Sequence, residues 1–201
     1  MSHPTTLLDF LRHGEPVGGP RFRGNGVDDP LSEKGWHQMR TTTGALGGWQ
    51  QIVSSPMRRC VEFARALAGE QGLPITVRDD LREVGFGSWE GADRETLRRE
   101  RSAEYDAFYQ DPVNNRPPGA EPLVAFGARV ATVFDGLLGD FPGLHLLVVT
   151  HAGVIRATLG HVMQAPPANW YRSEVDNAAL TRFVHDLRGA RIVTHNWRPN
   201  L

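Results

Sequence analysis

Three features of the chain predict an α/β fold with a largely parallel central sheet. Strand-like and helix-like segments alternate along it. The two best strand candidates, TTLLDFL (Thr5–Leu11) and HLLVVT (His145–Thr150), are short, nearly continuous apolar runs, the pattern of strands covered on both faces. The helical stretches between them carry start and stop residues. The 201 residues suit a domain with a substantial core, and no repeat, low-complexity tract or linker divides them. Residues 1–201 are therefore read as a single domain.

The elements follow in order. Thr5–Leu11 is the first strand. Ser32 is the N-cap of a helix from Glu33 to about Leu46, which Gly47-Gly48 ends. QIVSS (Gln51–Ser55) is a further strand. Pro56 suits the first turn of a helix through Ala68, stopped by Gly69 and Gly72. Asp93 to about Tyr109 is charged and amphipathic, a helical excursion between larger elements. DPVNNRPPGAEP (Asp111–Pro122) is a loop by its turn residues. Helix resumes through about Leu138, before the strand His145–Thr150. LTRFVHD and ARIVTH, separated by LRG, form a hairpin at the sheet edge.

With 22 basic and 23 acidic side chains, the formal net charge of −1 gives no general field for nucleic acid or an anionic membrane. Any anion site must be local. The lone cysteine, Cys60, excludes an internal disulfide and suits a reducing compartment. The N-terminus has no basic region followed by a long apolar run, and no stretch reaches the length of a membrane span. A soluble cytoplasmic protein is expected.

The chemistry gathers at strand ends. FLRHGE and VVTHAGVIR each finish a strand in histidine followed by a small residue. Ligand sites in open α/β sheets lie beyond the carboxyl ends of the strands, so His13 and His151 meet if their strands are neighbours. SSPMRRC brings Arg58 and Arg59 to a helix start, where free N–H groups and the dipole favour an anion. LREVGFGSWEG adds Glu83. Two imidazoles, two or three guanidiniums and one carboxylate suit phosphoryl transfer. Guanidinium forks bind phosphoryl oxygens, a neutral imidazole attacks phosphorus, and a carboxylic acid protonates the leaving oxygen. No metal is required.

Other residues have plainer readings. Arg58 faces solvent or pairs with a surface carboxylate. His37, His145, His161, His185 and His195 lack convincing partners, and neither the histidines nor Cys60 show ligand spacing for a metal. GFGSWEG matches no phosphate loop and is a tight turn carrying Trp89 into the core. DRETLRRERSAEYD is a solvated helix face, or a roof over the pocket.

Taken in order from Leu7 to Arg156, LRHGE, RFRG…DDPLSEKG, SSPMRRCVEFA, LREVGFGSWEG, PPGAEP and VVTHAGVIR resemble the motifs of the histidine phosphatase superfamily, phosphoglycerate-mutase-like branch. The resemblance implies a three-layer α/β/α fold and no cofactor. It implies that His13 becomes phosphorylated, Arg12 and Arg59 clamp the phosphate, His151 is the second imidazole, and Glu83 is the proton donor. The Ala152 N–H joins the phosphate pocket. The substrate-loop arginine is Arg21 or Arg23, because the stretch to DDPL is one residue longer than usual. Cys60 replaces the usual alanine, and Phe63 a common threonine, as a packing change.

The modest length between Glu83 and PPGAEP favours a phosphatase acting on a small phosphate ester over a phosphoglycerate-mutase-type transferase. A non-catalytic phosphate binder would lack the nucleophile or the acid, and both are present. LRHGEP, RFRG and DDPLSEKGW are similar to bacterial α-ribazole phosphatases of cobalamin assembly, which implies a nucleoside 5′-phosphate substrate. Trp36, Trp89, Tyr105, Phe108 and Tyr109 are candidates to wall such a pocket, with core packing as their other reading.

Overall fold

The computed structural model describes residues 4–199. Its strands are β1 (Thr6–Arg12), β2 (Gln51–Ser54), β3 (Ile75–Val77), β4 (His145–Thr150), β5 (Leu180–Asp186) and β6 (Gly189–Trp197). They form one sheet in the order β3-β2-β4-β1-β5-β6. The β3, β2, β4 and β1 strands run parallel, and the β5–β6 hairpin adds antiparallel to β1 at the sheet edge.

The period-2 alternation of side chains sends one set of residues to each face. Leu8, Phe10, Leu146 and Val148 pack with α5 (Leu123–Asp140) and α6 (Ala152–Met163). Leu11, Ile52, Leu147 and Val149 pack on the other face with α1 (Glu33–Gly44) and α2 (Arg58–Gln71). The result is a three-layer α/β/α sandwich. Both faces of β1 and β4 are covered, which explains the apolar run of β4 and the run of β1 that only Asp9 interrupts.

Ser32 caps α1, its Oγ accepting from the Gly35 N–H. The start of α2 departs from expectation. Met57 is extended, the helix begins at Arg58, and Pro56 lies outside its first turn. The Arg58 N–H donates to Asp28 Oδ1 at 2.7 Å, which satisfies the new helix start from a neighbouring loop. Gly69 does not stop α2; the helix runs to Gln71 and ends on left-handed Gly72.

The stretch from Asp93 to Tyr109 is two helices, α3 (Arg94–Glu100) and α4 (Ser102–Gln110). Asp93 caps the first, accepting from Thr96 N–H, and Arg101 (φ −130°, ψ 44°) breaks the run. Leu97 of α3 and Phe108 of α4 both reach the same core cluster. Trp89 is fully buried beside them, as expected for the turn that carries it.

Candidate active site

The parallel pairing of β1 and β4 sets Arg12 opposite Thr150, so the next residue of each strand, His13 and His151, falls at the same sheet end. Their rings meet edge to face, centroids 5.3 Å apart. The His13 N–H continues the ladder to the Thr150 carbonyl. His13 lines an open cleft of about 600 Å³ together with Arg12, Arg59, Glu83 and Ala152. His151 is fully buried directly behind His13 rather than in the cleft wall.

His13 Nδ1 is 2.8 Å from the Gly14 carbonyl oxygen. A carbonyl only accepts, so this contact assigns the proton to Nδ1 and leaves the Nε2 lone pair free. Burial, then Arg59 and Arg12, pushes the His13 pKa well below its ordinary 6.5. Burial followed by Arg59, His13 and Arg12 does the same to His151. Both rings are neutral at physiological pH. His151 Nε2 lies 2.7 Å from Ser55 Oγ at the end of β2. Cys60 Sγ packs 3.7 Å from that nitrogen, and burial drives its thiol pKa upward, so it is an inert filler.

The two clamp candidates are held by backbone carbonyls rather than by carboxylates. Arg12 Nη1 donates to Val175 O at 2.6 Å. Arg59, buried at the start of α2, donates to Val27 O at 2.9 Å and Gly24 O at 2.8 Å. Each keeps a buried Nε with no hydrogen-bond partner among the described residues. Burial, followed by Arg94 and Arg156, lowers the Arg12 pKa to about 10, so it stays cationic.

Glu83 is half-buried at the N-terminus of α6. Its Oε2 accepts from the Gly153 N–H at 3.2 Å and its Oε1 from the Val84 N–H at 2.9 Å. The first residues of α6, Ala152 and Gly153, thus present their amides beside the carboxylate, with the helix dipole adding positive potential.

Arg21 and Arg23 both line the cleft but differ in exposure and partners. Arg23 is buried and committed to Asp29 Oδ2 at 2.9 Å and Val17 O at 2.6 Å. Arg21 is exposed on the cleft wall. Loop 24–27 is stapled by Glu90, whose carboxylate accepts from the N–H groups of Asn25, Gly26 and Phe86. Gly24 has φ +56°, and a Cβ there would run into that carboxylate. The glycine and Glu90 thereby fix the carbonyls that hold Arg59.

Of the five aromatic wall candidates, Tyr105 and Tyr109 line the cleft. Trp89 and Phe108 are fully buried in the core beneath, and Trp36 packs on Phe63 across the sheet. Tyr105 and Tyr109, four residues apart, share one stripe of α4 toward the cleft, while Phe108 is turned into the core. Arg94 and Tyr105 of the run DRETLRRERSAEYD line the cleft, as its reading as a roof over the pocket expects, whereas the sequence does not single out Arg156 and Tyr171, which line it too. Arg156 donates to Ser173 O and lies over the Tyr171 ring, and neither Arg94 nor Arg156 has a carboxylate partner among the described residues. Arg156 was visible in VVTHAGVIR, one helical turn after Ala152; Arg94 had only its place after a capping aspartate.

Three histidines read as partnerless do have partners. His145 Nε2 lies 2.9 Å from Asp9, His161 3.0 Å from Asp135, and His195 bridges Ser173 and Thr181. These contacts cross between elements distant in sequence, and the first is part of a buried cluster: Asp9 also binds Arg182 bidentately and Trp49 Nε1. Arg58 pairs with Glu62 on the surface. Among the described residues no group of three or more His, Cys, Asp or Glu side chains is placed to hold a metal, and no helix is long and apolar enough to cross a membrane.

The family model described as histidine phosphatase superfamily (branch 1) matches residues 8–198. A bifunctional protein of Mycobacterium tuberculosis is 34% identical over 182 residues, covering 89% of this chain and 50% of that protein, so the chain spans half the length of that relative. The glucosyl-3-phosphoglycerate phosphatase of the same organism is 30% identical over 205 positions, 95% of this chain and 91% of that one. A solved structure of the mycobacterial enzyme with VO3 superposes with a TM-score of 0.83 at 28% identity, over 94% of this chain and 98% of that one. The adenosylcobalamin/alpha-ribazole phosphatase of Salmonella typhimurium is 27% identical over 172 residues, 84% of this chain and 85% of that protein.

Proposed function

The chain belongs to the histidine phosphatase superfamily, branch 1, and from that premise we propose that it hydrolyses small phosphomonoesters through a phosphohistidine on His13. One observation carries the reading: a neutral imidazole with Nδ1 tied to the Gly14 carbonyl lines the same cleft as a carboxyl group, the buried Arg59 and the half-buried Arg12. Nε2 of His13 attacks phosphorus, and the bond to the ester oxygen breaks. Protonated Glu83 gives its proton to that departing oxygen. The resulting carboxylate takes a proton from water, whose oxygen attacks phosphorus and breaks the P–N bond, releasing inorganic phosphate and restoring His13. Arg12 and Arg59 neutralise charge on the equatorial oxygens, helped by the Ala152 N–H. His151, its ring fixed by Ser55, packs behind His13 as the second imidazole. Arg21 serves the substrate on the rim, since Arg23 is spent within its loop.

The sheet joins β1 near the start of the chain to β6 near its end, which supports reading residues 1–201 as one domain. The unpaired Cys60 supports a reducing, cytoplasmic location. As to substrate, likeness to the Salmonella enzyme and the flat faces of Tyr105, Tyr109 and Tyr171 support α-ribazole 5′-phosphate. A second reading, an ester bearing a carboxylate such as glucosyl-3-phosphoglycerate, is favoured by the carboxylate-free Arg94 and Arg156 in the same cleft.

The deciding experiment is a phosphate-ester panel, including both compounds and 3-phosphoglycerate, run with wild type and His13→Ala. Hydrolysis and acid-labile labelling of wild type, both lost in the variant, support the proposal. Hydrolysis that survives His13→Ala overturns it, and isomerisation of 3-phosphoglycerate outpacing hydrolysis makes the protein a mutase.

A further inference from the structure

One motif, PPGAEP, has no part in the chemistry above, yet it touches the proton donor's backbone. Glu83 lies in residues 82–86, which belong to neither helix nor strand. Polar backbone in such a segment needs partners outside regular structure, and here side chains supply them. Arg129, on α5, donates from Nη1 to the carbonyls of Asp80 at 2.7 Å and Arg82 at 3.0 Å. Its Nη2 pairs with both carboxylate oxygens of Glu121 at 2.9 Å. Glu121 Oε2 in turn accepts from the Gly85 N–H at 3.2 Å, and its own N–H donates to Gly85 O. Arg116 Nη2 donates to the same Gly85 carbonyl at 2.7 Å and its Nε to Glu121 O.

The segment is therefore gripped on both sides of Glu83, two residues away at Gly85 and one away at Arg82. All three gripping side chains come from the PPGAEP loop and the helix that follows it. Among the described residues the Glu83 carboxylate has only two amide contacts, so its place over the cleft is set by where its backbone is held. Both charges of the Glu121–Arg129 pair are three-quarters or more buried, where a bidentate pair is geometrically stiff.

We propose that Glu121 and Arg129, supported by Arg116, are positioning residues that hold the Glu83 carboxyl at the leaving-group oxygen. The proposal rests on the assignment of Glu83 as proton donor. Arg129 cannot be replaced by lysine on this account, because a single ammonium cannot serve two carbonyls and two carboxylate oxygens at once.

The test compares kcat/KM for an alkyl phosphate and for p-nitrophenyl phosphate, whose leaving group needs little protonation, in wild type, Arg129→Lys, Glu121→Gln and Glu83→Gln. We expect Arg129→Lys to lose about 10-fold or more on the alkyl ester, the scale of a proton donor displaced by a fraction of an ångström, and much less on the aryl ester. Added to Glu83→Gln, it should change the alkyl-to-aryl ratio no further. Equal losses on both esters, or an undiminished effect in the Glu83→Gln background, overturn the proposal by making the clamp merely structural. If Arg129→Lys does not fold, Glu121→Gln, which keeps the shape of the side chain, carries the same comparison. Wild type without any phosphatase activity, or a Glu83→Gln enzyme with an unchanged ratio, sinks the assignment of Glu83 instead.

Discussion

The Nδ1 of His13 and the carbonyl oxygen of Gly14, its neighbour in the chain, lie 2.8 Å apart. A backbone oxygen one residue away cannot be displaced by repacking, so the ring keeps one tautomer through the cycle. Its neutrality has a consequence for pH. His13 and His151 are both held well below the 6.5 of an unfolded histidine. As pH falls through 6.5 the unfolded chain binds protons that the folded chain refuses. Stability is full above that value and is lost progressively down to the folded pKa values. Urea midpoints should fall between pH 7 and 5, and His151→Asn should flatten the slope. A wild-type profile rising toward acid over that interval would falsify the neutral pair.

Glu83→Gln keeps the carboxyl's shape and an oxygen for one of the two amide contacts, sets an NH2 that cannot accept against the other, and removes the transferable proton. The loss in kcat/KM should reach about 100-fold for alkyl phosphates, the usual worth of general acid catalysis, and be least for p-nitrophenyl phosphate. Equal losses across leaving groups refute the acid role.

Arg59→Lys retains a cation but not the fork that reaches Gly24 O and Val27 O. It should lower kcat/KM by roughly 100-fold, comparable with removing one oxyanion donor, or about 3 kcal/mol of transition-state stabilisation. A near-wild-type value measured on any good substrate rules Arg59 out as a clamp.

Gly24→Ala tests the same clamp from the loop side. An alanine at φ +56° is strained, and its methyl collides with Glu90. The cost should be about 1–3 kcal/mol, read as a lower melting temperature together with reduced kcat/KM. Unchanged values for both mean that the loop does not hold Arg59.

Arg182→Met separates stability from chemistry. It strips a bidentate partner from Asp9, which has no solvent exposure and retains only His145 and Trp49. Breaking a buried pair costs about 3 kcal/mol or more. This cluster lies on β1 well before its carboxyl end, so kcat/KM should stay near wild type below the melting transition. A catalytic loss without a stability loss contradicts that division.

These predictions draw on different amounts of sequence information. The strands β1 and β4 announced themselves by apolar runs, and His13, Arg12, Arg59 and Glu83 by adjacent motifs, because strand ends and helix starts place residues locally. Three-residue β3 is too short to show a period, and no Gly or Pro at Arg101 marks the break between α3 and α4. Arg94 was legible only as part of a run offered as a roof over the pocket, Arg156 only by its place one turn after Ala152, and Tyr171 not at all, since nothing in its neighbours records which way a distant surface turns. His145 looked solitary for the same reason: its partner, Asp9, is 136 positions away.

The arch made by α3 and α4 stands outside the sheet, and its cleft-facing residues, Arg94, Tyr105 and Tyr109, contribute nothing to the anchoring of His13, Arg12 or Arg59. Part of the cleft wall is thus carried on a piece of chain separate from His13, Arg12 and Arg59. A combinatorial library confined to those three positions should retune which alcohol is accepted while leaving the reacting machinery whole, giving the protein a natural route to new nutrients or an engineer a ready starting point.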